Sequence, residues 1–570
     1  MDIINVLTNS DVTFVNVYIG FMRYLVPLLT VLLLFRCIKP LISFRREPEI
    51  WAWLCFPDGQ KLPVTHWENV IGRSRRSDIC IENPKLSKSH GVLTRYDDGS
   101  WTISDVHRGG EIRVNGKKVK MRALKPKDVI TMADVSMTLQ PISAQQEKHL
   151  SQLRTKAATV MDSIFNLLCL TVLQVFICVA YLMNGRPGTA SHILIGFGGI
   201  LFCQWLLFAF YLAINRTSFE VETIAFFLCT MGMAAIATVV PWETTKQLAA
   251  MVLGIGIFLG VGWSLRDLER AKKVRDLAVF AGVGLLLITL LFGTNYNGAK
   301  NWLMLGSMSL QPSELSKICF VFVAASTMDK ILTKRNLVVF IVYSALICLC
   351  LAIMNDFGTA LIFFIAFLVG AYMRSGSVGT VALACSSLGY AGVLGIRLMP
   401  HALRRFATWR HIWEDTSYQQ QTQAIMCMAA GGLLGLGPGN GYARYIFAAD
   451  SDIVIATLSE EWGLIMVVLL VLGIAALALF SVRTAAVSRS AFYTIGACTA
   501  SGILLAQVML NALGTVDVLP FTGVTFPFVS NGGSSMLCAW GLLAFVKAAD
   551  TRQNASFAVR LPWKGGRTDE

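Results

Sequence analysis

The strongest constraint on this chain is the recurrence of apolar blocks close to the 20 residues an α-helix needs to cross a bilayer core. The first block, roughly Val17 to Ile38, is too long for a signal peptide and lacks a small-residue cleavage site, so it reads as a retained anchor. Twelve further candidate spans lie near 163–183, 190–214, 219–241, 247–265, 274–294, 316–333, 336–354, 356–374, 378–397, 455–480, 491–513 and 533–549. The weakest is 316–333, which carries Lys317, Asp329 and Lys330. Of the 570 residues 55% are hydrophobic and 15% charged, well below the charge of about 25% usual in soluble domains. The fold expected is a polytopic α-helical membrane protein, with thirteen crossings placing the termini on opposite sides.

Between about Glu47 and Gln140 the character changes. Charges, turn pairs (Asp98-Gly99, Asn115-Gly116) and short alternating runs such as WTISDV and EIRVNG replace the apolar blocks. Short strands at regular spacing predict a small all-β sandwich inserted between spans. The polar stretch QQEKHLSQLRTK then leads back to the membrane. These breaks divide the chain into an anchor (1–46), a β-domain (50–142), a linker with two spans (143–215), a membrane core (216–552) and a tail (553–570).

The net charge of +14 does not form one stripe. The basic residues fall in short clusters between apolar blocks, which is a topology signal and not a nucleic-acid surface. With the β-domain placed inside the cell, RDLERAKKVR (266–275), DKILTKR (329–335), Arg374, SVRTAAVSR (481–489) and the C-terminal basic residues are also inside. One loop breaks the pattern. The outer segment from about Met399 to Ile453 carries Arg404, Arg405, Arg410 and Arg444. Arginines held outside against the bias suit an anionic ligand, a diphosphate being a natural candidate, with solvated loop charge the alternative. The 14 cysteines are scattered without CxxC spacing, which indicates small buried residues, not disulfides or a zinc site.

Several polar motifs fall on that same outer side. In QPSELSK (311–317), Pro312 suits a helix start, Ser313 a cap, and Glu314 and Lys317 share a helical face at i,i+3. Charge at membrane depth is costly, so the pair indicates either a polar cavity or mutual neutralisation at a helix end. NGAKNW (297–302) precedes that helix, and NDFGT (355–359) sets Asp356 at the mouth of a later span. LPFTGVTFPFVSNGGSS (519–535) is a proline- and glycine-bearing loop before the last span, tolerated at depth only against protein or a wet cavity. GGLLGLGPGNG (431–441) follows no strand and reads as a flexible turn, not a phosphate loop.

QPSELSK, NDFGT, SDIVIATLSEEWG (451–463) and the 519–535 run together resemble the SEDS family, the RodA/FtsW/SpoVE peptidoglycan polymerases, over roughly residues 219–549. The resemblance implies a ten-span core, plus about three extra spans here, that polymerises lipid II on the outer membrane face beside a class B penicillin-binding transpeptidase. It implies that Asp452 is the essential catalytic acidic residue. Glu460 and Glu461 match the family's paired carboxylates, Glu314 and Lys317 its QPSExxK pair, and Asp356 its DLGT aspartate. Gln423 matches a glutamine upstream of the glycine-rich loop, and Ser530 falls in the implied substrate site. Glycosyl transfer needs a base near the acceptor hydroxyl and cations for the departing diphosphate. Asp452 suits the first role, and Arg404, Arg405, Lys317 or a divalent Mg or Mn ion the second. A lipid diphosphate leaving group need not follow the two-carboxylate geometry of soluble glycosidases.

IGR (71–73), LSKSH (86–90) and SDVHRGGEIRVNG (104–116) resemble the forkhead-associated (FHA) fold over about residues 51–141. The resemblance implies phosphothreonine-peptide binding by Arg73, Ser87 and Lys88, with His90 mainly structural, and so a phosphothreonine protein or Ser/Thr kinase as partner. Gly110 stands where that family carries a ligand-contacting Asn, with Arg108 where Ser is common, which leaves a purely structural docking module open. In the membrane core Asn301 replaces an Arg, Phe447-Ala448-Ala449-Asp450 replaces a proline-glutamate-alanine-histidine stretch, and Asn531 replaces a Tyr. Asp450 in place of histidine favours a metal or an altered base. A lipid-linked precursor transporter (flippase) and a non-catalytic cell-wall scaffold are the other readings. The expected location is the bacterial plasma membrane, with the FHA-like domain cytoplasmic and the Asp452 loop outside.

Overall fold

The structure is a computed structural model. It describes residues 12–43, 50–66, 68–74, 77–88, 90–95, 100–105, 112–143, 145, 159–266, 268–296, 299–306, 308–328, 334–375, 378–379, 381–387, 389, 409–414, 419–485, 488, 490–552 and 554–558. Between the first two membrane helices lies a β-sandwich of eleven short strands. They are β1 (Ala52–Cys55), β2 (Lys61–Val64), β3 (Glu68–Gly72), β4 (Ile79–Cys80), β5 (Gly91–Arg95), β6 (Trp101–Asp105), β7 (Ile112–Val114), β8 (Lys117–Val119), β9 (Met121–Leu124), β10 (Val129–Met132) and β11 (Val135–Pro141). One sheet has the order β2-β1-β11-β10-β7-β8 and the other β4-β3-β5-β6-β9. Alternation decides which side chains meet: Ile112 and Val114 are buried while Arg113 between them is exposed. Leu54, Ile71, Leu93, Ile103, Ile130 and Met137 fill the core between the sheets.

The membrane region consists of helices α1 (Val12–Ile42), α2 (Val160–Asn184), α3 (Ala190–Ala213), α4 (Glu220–Val239), α5 (Thr244–Leu265), α6 (Leu268–Phe292), α7 (Pro312–Met328), α8 (Lys334–Ile353) and α9 (Phe357–Ser375). They are followed by α10 (Gln419–Gly431), α11 (Val454–Trp462), α12 (Leu464–Ala485), α13 (Ala491–Thr515) and α14 (Gly533–Ala548). Among the described residues, nine helices are long and apolar enough to cross a membrane, and two shorter apolar helices cover 338–353 and 533–548. The chain is therefore a multi-pass membrane protein. Half of the expected span at 378–397 falls outside the described residues.

Two expectations about helix ends are corrected. α7 begins at Pro312, the helix start expected from the motif, so Ser313 sits within its first turn and not ahead of it. The Ser313 hydroxyl has no partner among the described residues, so it does not cap. The span read as 455–480 is two helices. Gly463 separates α11 from α12 at φ +86°, and a Cβ there would lie 2.2 Å from the Leu433 carbonyl oxygen, so only glycine fits the break.

The three helices ahead of the core wrap one side of it. α4 packs against α1, α2, α3, α5, α11 and α12. Every residue from Glu220 to Thr238 is consequently buried, with no face left for lipid. Polar side chains fasten the wrap at depth. The Gln174 amide donates to the Gln204 side-chain oxygen (2.9 Å) and to the Thr230 hydroxyl (3.0 Å), joining α2, α3 and α4. Such bonds make up for the missing hydrophobic drive between helices in lipid. At the N-terminal end of α4, Lys547 pairs with Glu222 at 3.0 Å and Arg552 with Asp550 at 2.7 Å, and all four side chains are almost fully buried. Burial pushes the Asp550 carboxyl up, but the Arg552 guanidinium and Lys547 outweigh it and hold Asp550 below the usual range.

Candidate active site

A three-stranded sheet, β12 (Thr294–Tyr296), β13 (Ala299–Leu305) and β14 (Met308–Leu310), precedes α7 and forms one wall of a cavity of about 1060 Å³. The other walls come from the starts of α7, α9 and α10, the 443–453 loop and the 519–535 loop. In the sequence NGAKNW (297–302) marks only the segment ahead of α7, and no strand is expected there. Six acidic residues line the cavity: Glu243, Glu314, Asp356, Asp450, Asp452 and Asp517. Among the described lining residues there is no Lys, Arg or His.

Asp452 is half-buried on the loop between α10 and α11. The loop is pinned on every side. Ala448 takes the left-handed conformation (φ 52°), and its carbonyl accepts from the Asp452 N–H at 3.1 Å. The Asn511 amide of α13 donates to the Asp452 carbonyl (2.8 Å), and the Ser530 hydroxyl donates to the Ser451 carbonyl (2.6 Å). Ser530 is itself buried and does not line the cavity, so it positions the Asp452 loop against the 519–535 loop. The backbone around Asp452 is thus set by neighbouring elements, as a reacting group requires.

Beside it, the Asn531 amide donates to both Asp450 Oδ2 and Glu243 Oε2, each at 2.7 Å. Burial pushes the Asp450 carboxyl above its usual range, and the negative charge of Glu243 adds to this, while the Asn531 bond opposes it. Glu243 was missed in the sequence. Its signal was PWETTK, an acidic residue between two apolar blocks. Asp356 caps α9, accepting from the Thr359 N–H at 3.1 Å. Its other oxygen accepts from Asn301 (3.1 Å) and from Gln311 (3.4 Å). Asn301, the residue noted as standing in place of an Arg, therefore binds the aspartate as a neutral amide.

Several expected residues lie elsewhere. Glu314 lines the cavity, but Lys317 is fully buried behind it, its ammonium 2.5 Å from Glu314 Oε1. Pairing on one helical face at depth withdraws that cation, so it does not supply charge to the cavity. Gln423 is exposed, and the glutamines that face the cavity are Gln420 and Gln421, two to three residues earlier on α10. Glu460 and Glu461 are buried in α11, outside the lining. Glu460 accepts from the Ala443 N–H (2.6 Å). Glu461 accepts from Gly439 N–H (2.8 Å), Tyr181 (2.7 Å) and Thr238 (2.7 Å). The pair holds the glycine-rich loop in place. Arg404 and Arg405 lie outside the described residues. Arg410 stacks on Trp409, which lines the cavity, and Arg444 donates to the Gly439 carbonyl at 3.3 Å.

No three or more His, Cys, Asp or Glu side chains among the described residues are grouped so as to hold a metal. Asp450 and Asp452 share one loop and Glu243 meets Asp450 at the Asn531 amide, while Glu314, Asp356 and Asp517 come from other elements of the cavity. In the β-sandwich, Arg73 is exposed and its N–H donates to the Ser87 carbonyl at 3.1 Å, which brings the β3–β4 and β4–β5 loops together. Lys88 is exposed, while His90 is buried and its Nδ1 accepts from the Ser87 N–H at 3.3 Å, so His90 shapes the loop. Arg108 and Gly110 lie outside the described residues.

Comparison with known proteins decides the family. The FtsW/RodA/SpoVE model, described as a cell cycle protein, matches residues 223–555, more than half of the chain. The chain belongs to the FtsW/RodA/SpoVE family. An FHA-domain model matches residues 69–133 within the sandwich. FtsW of Tolumonas auensis is 30% identical over 320 residues, covering 54% of this chain and 83% of that one. The peptidoglycan glycosyltransferase RodA of Mycobacterium tuberculosis is 27% identical over 326 residues, covering 53% and 69%. Among solved structures, RodA of Thermus thermophilus is similar over 58% of this chain and 95% of its own, at 20% identity and a TM-score of 0.43. In this FtsW/RodA/SpoVE member the matched region begins inside α4, so α1, α2, α3 and the FHA domain are additions ahead of it.

Proposed function

We propose that this protein is a peptidoglycan glycosyltransferase that polymerises lipid II on the outer membrane face. The observation that carries the reading is the acid-lined cavity on whose wall Asp452 is fixed by Asn511 and by the Ser530 clamp on its neighbour. An ionised Asp452 takes the proton from the acceptor sugar hydroxyl as it attacks the anomeric carbon of the lipid-linked donor, whose bond to the diphosphate breaks. Asp356, Gln311 and Gln421 supply hydrogen-bonding groups for sugar hydroxyls along the wall. Positive charge for the departing diphosphate comes from the outer arginine-bearing segment, of which Arg410 stacks on the cavity residue Trp409.

On this reading the FHA domain is cytoplasmic, where protein phosphothreonine is made, and it ties activity to a phosphothreonine protein through Arg73, Ser87 and Lys88. The RodA and FtsW relatives support the activity by name, and the positive-inside pattern supports the sidedness. A class B penicillin-binding transpeptidase is the expected membrane partner. The test is polymerisation of lipid II by the purified protein, with and without such a partner. Glycan chains should form with wild type and fall at least about a hundredfold with Asp452→Ala, within the range of a lost general base. Chain formation untouched by that change would remove Asp452 from the chemistry. Movement of precursor across vesicles without polymer would favour the transporter.

A further inference from the structure

The FHA domain carries a second charged surface, remote from its phosphopeptide loops. Between Ile112 and Val129 the chain has seven basic residues (Arg113, Lys117, Lys118, Lys120, Arg122, Lys125 and Lys127) and one acidic residue, Asp128. All five lysines and Arg113 are exposed, and Arg122 is half-buried. They occupy β7, β8 and β9 and the turns beside them. β8 is the edge strand of one sheet and β9 the edge strand of the other, so the set forms one margin of the sandwich.

Strand register shows which way that margin extends. Ala52, where β1 begins, pairs with Pro141, where β11 ends, so both connections to the membrane leave one end of the domain. β11 starts at the far end with Val135 opposite Met132, and β10 begins nearer the connections with Val129 opposite Thr138. β7 runs antiparallel to β10 and ends with Val114 opposite Ile130, and Lys117 of β8 pairs with Val114. The Asn115–Gly116 turn and the 125–128 turn therefore both project toward the membrane connections. Asn115 welds them together, donating to Asp128 Oδ1 at 2.7 Å and accepting from the Val129 N–H at 2.9 Å. The far end carries Asp134, bonded to Asn83 (2.9 Å) and Lys85 (3.2 Å) on the loop that holds Ser87 and Lys88.

The tether is short. Ten residue steps separate Ile42, the last residue of α1, from Ala52, a reach of at most about 35 Å when fully extended. A domain held that close is exposed to the leaflet's negative surface potential, which attracts clustered Lys and Arg. Lysine on edge strands also guards against strand pairing, but that role does not extend to Lys125 and Lys127 in the turn. Lys127 holds the left-handed region (φ 75°), where Gly or Asn is the usual choice, and Met121 lies 61% exposed among the cations. We infer that this basic margin docks the FHA domain on anionic phospholipid headgroups, with the phosphopeptide loops directed away from the bilayer.

The full-length protein in nanodiscs of phosphatidylcholine, or of phosphatidylcholine with phosphatidylglycerol as roughly a third of the lipid, tests this by hydrogen–deuterium exchange. Exchange across residues 112–129 should slow about fivefold or more in the anionic discs. The slowing should vanish at raised salt and in the Lys117→Gln/Lys118→Gln/Lys125→Gln/Lys127→Gln variant. Protection of β1 and β11 reports whether that variant is folded, and wild type compared between the two lipids decides the matter without it. Equal exchange in both lipids overturns the inference, as does slowing that survives the four substitutions in a folded domain. Neither readout involves polymerisation.

Discussion

Two aspartates on one loop meet different surroundings, and the difference fixes what each can do. Asp450 is pushed toward its neutral form, chiefly by burial and also by Glu243, while Asn531 holds it. A carboxyl raised in the folded state contributes full stability below its ordinary pKa of about 4, and that stability is lost as pH rises through the raised value. Asp450→Asn should therefore raise the thermal midpoint above that of wild type at about pH 8, and the gap should close near pH 4. Thermal unfolding of both proteins in detergent across that range checks it, and a gap that widens in acid would contradict the assigned cause. The same substitution keeps an acceptor for Asn531, so the loop backbone around Asp452 stays held. Asp452→Asn keeps the size of the side chain and should cost no more than about 1 kcal/mol of stability, while polymerisation falls with it.

At the scale of elements, the decisive contacts join segments far apart in the chain. Asn184 at the end of α2 donates to the Pro438 carbonyl (2.8 Å) and to Asn440 (2.9 Å), and Tyr181 one turn earlier reaches Glu461. Gly439 sits between them at φ +78°, where a Cβ would lie 2.5 Å from the Asn184 carbonyl oxygen. Tyr181→Phe leaves a buried carboxyl group short of one donor and should cost about 1–3 kcal/mol of stability, read as a lower thermal midpoint. Thr238→Val should cost a similar amount, and the pair less than the sum, because both donate to one oxygen. Strictly additive losses would show that the two bonds do not share Glu461. Lys547 and Glu222 make the stricter case at the other end of α4. Lys547→Met alone should cost about 3–5 kcal/mol by stranding a buried carboxylate, and adding Glu222→Gln should restore much of it.

These long-range pairings explain what the sequence could and could not disclose. Apolar blocks and alternating runs are local signals, and they located the spans and the sandwich. Asp452, Asp356 and Glu314 were legible because each sits in a short motif, and all three face the cavity. Lys317, Gln423, Glu460 and Glu461 sit in motifs just as clear, but whether such a residue faces a cavity depends on what packs behind it. Spacing does not encode that. Glu243 joined the site only when the 519–535 loop brought Asn531 to it.

For the whole molecule, the consequence lies in what the additional helices have done to the core. α4 is buried from Glu220 to Thr238, and α1, α2 and α3 supply much of that cover. They also bring polar groups that have no use in lipid: Gln174 and Gln204 are bonded to each other, Gln174 donates to Thr230, and Tyr211 donates to Glu222 at 2.7 Å. Without these helices the core would turn Thr230 toward hydrocarbon and leave Glu222 and Glu461 each short of a tyrosine donor, a cost lipid cannot offset. A chain beginning at Arg216 should therefore aggregate or lose a large part of its thermal midpoint in detergent. The same core co-expressed with a separate 1–215 fragment should recover as a complex on size-exclusion chromatography. Replacing Gln174 and Gln204 by Leu should weaken that complex by about 0.6–2 kcal/mol, the range for polar bonds between membrane helices. A monodisperse, wild-type-stable core from Arg216 onward would instead mean that the added helices only carry the FHA domain.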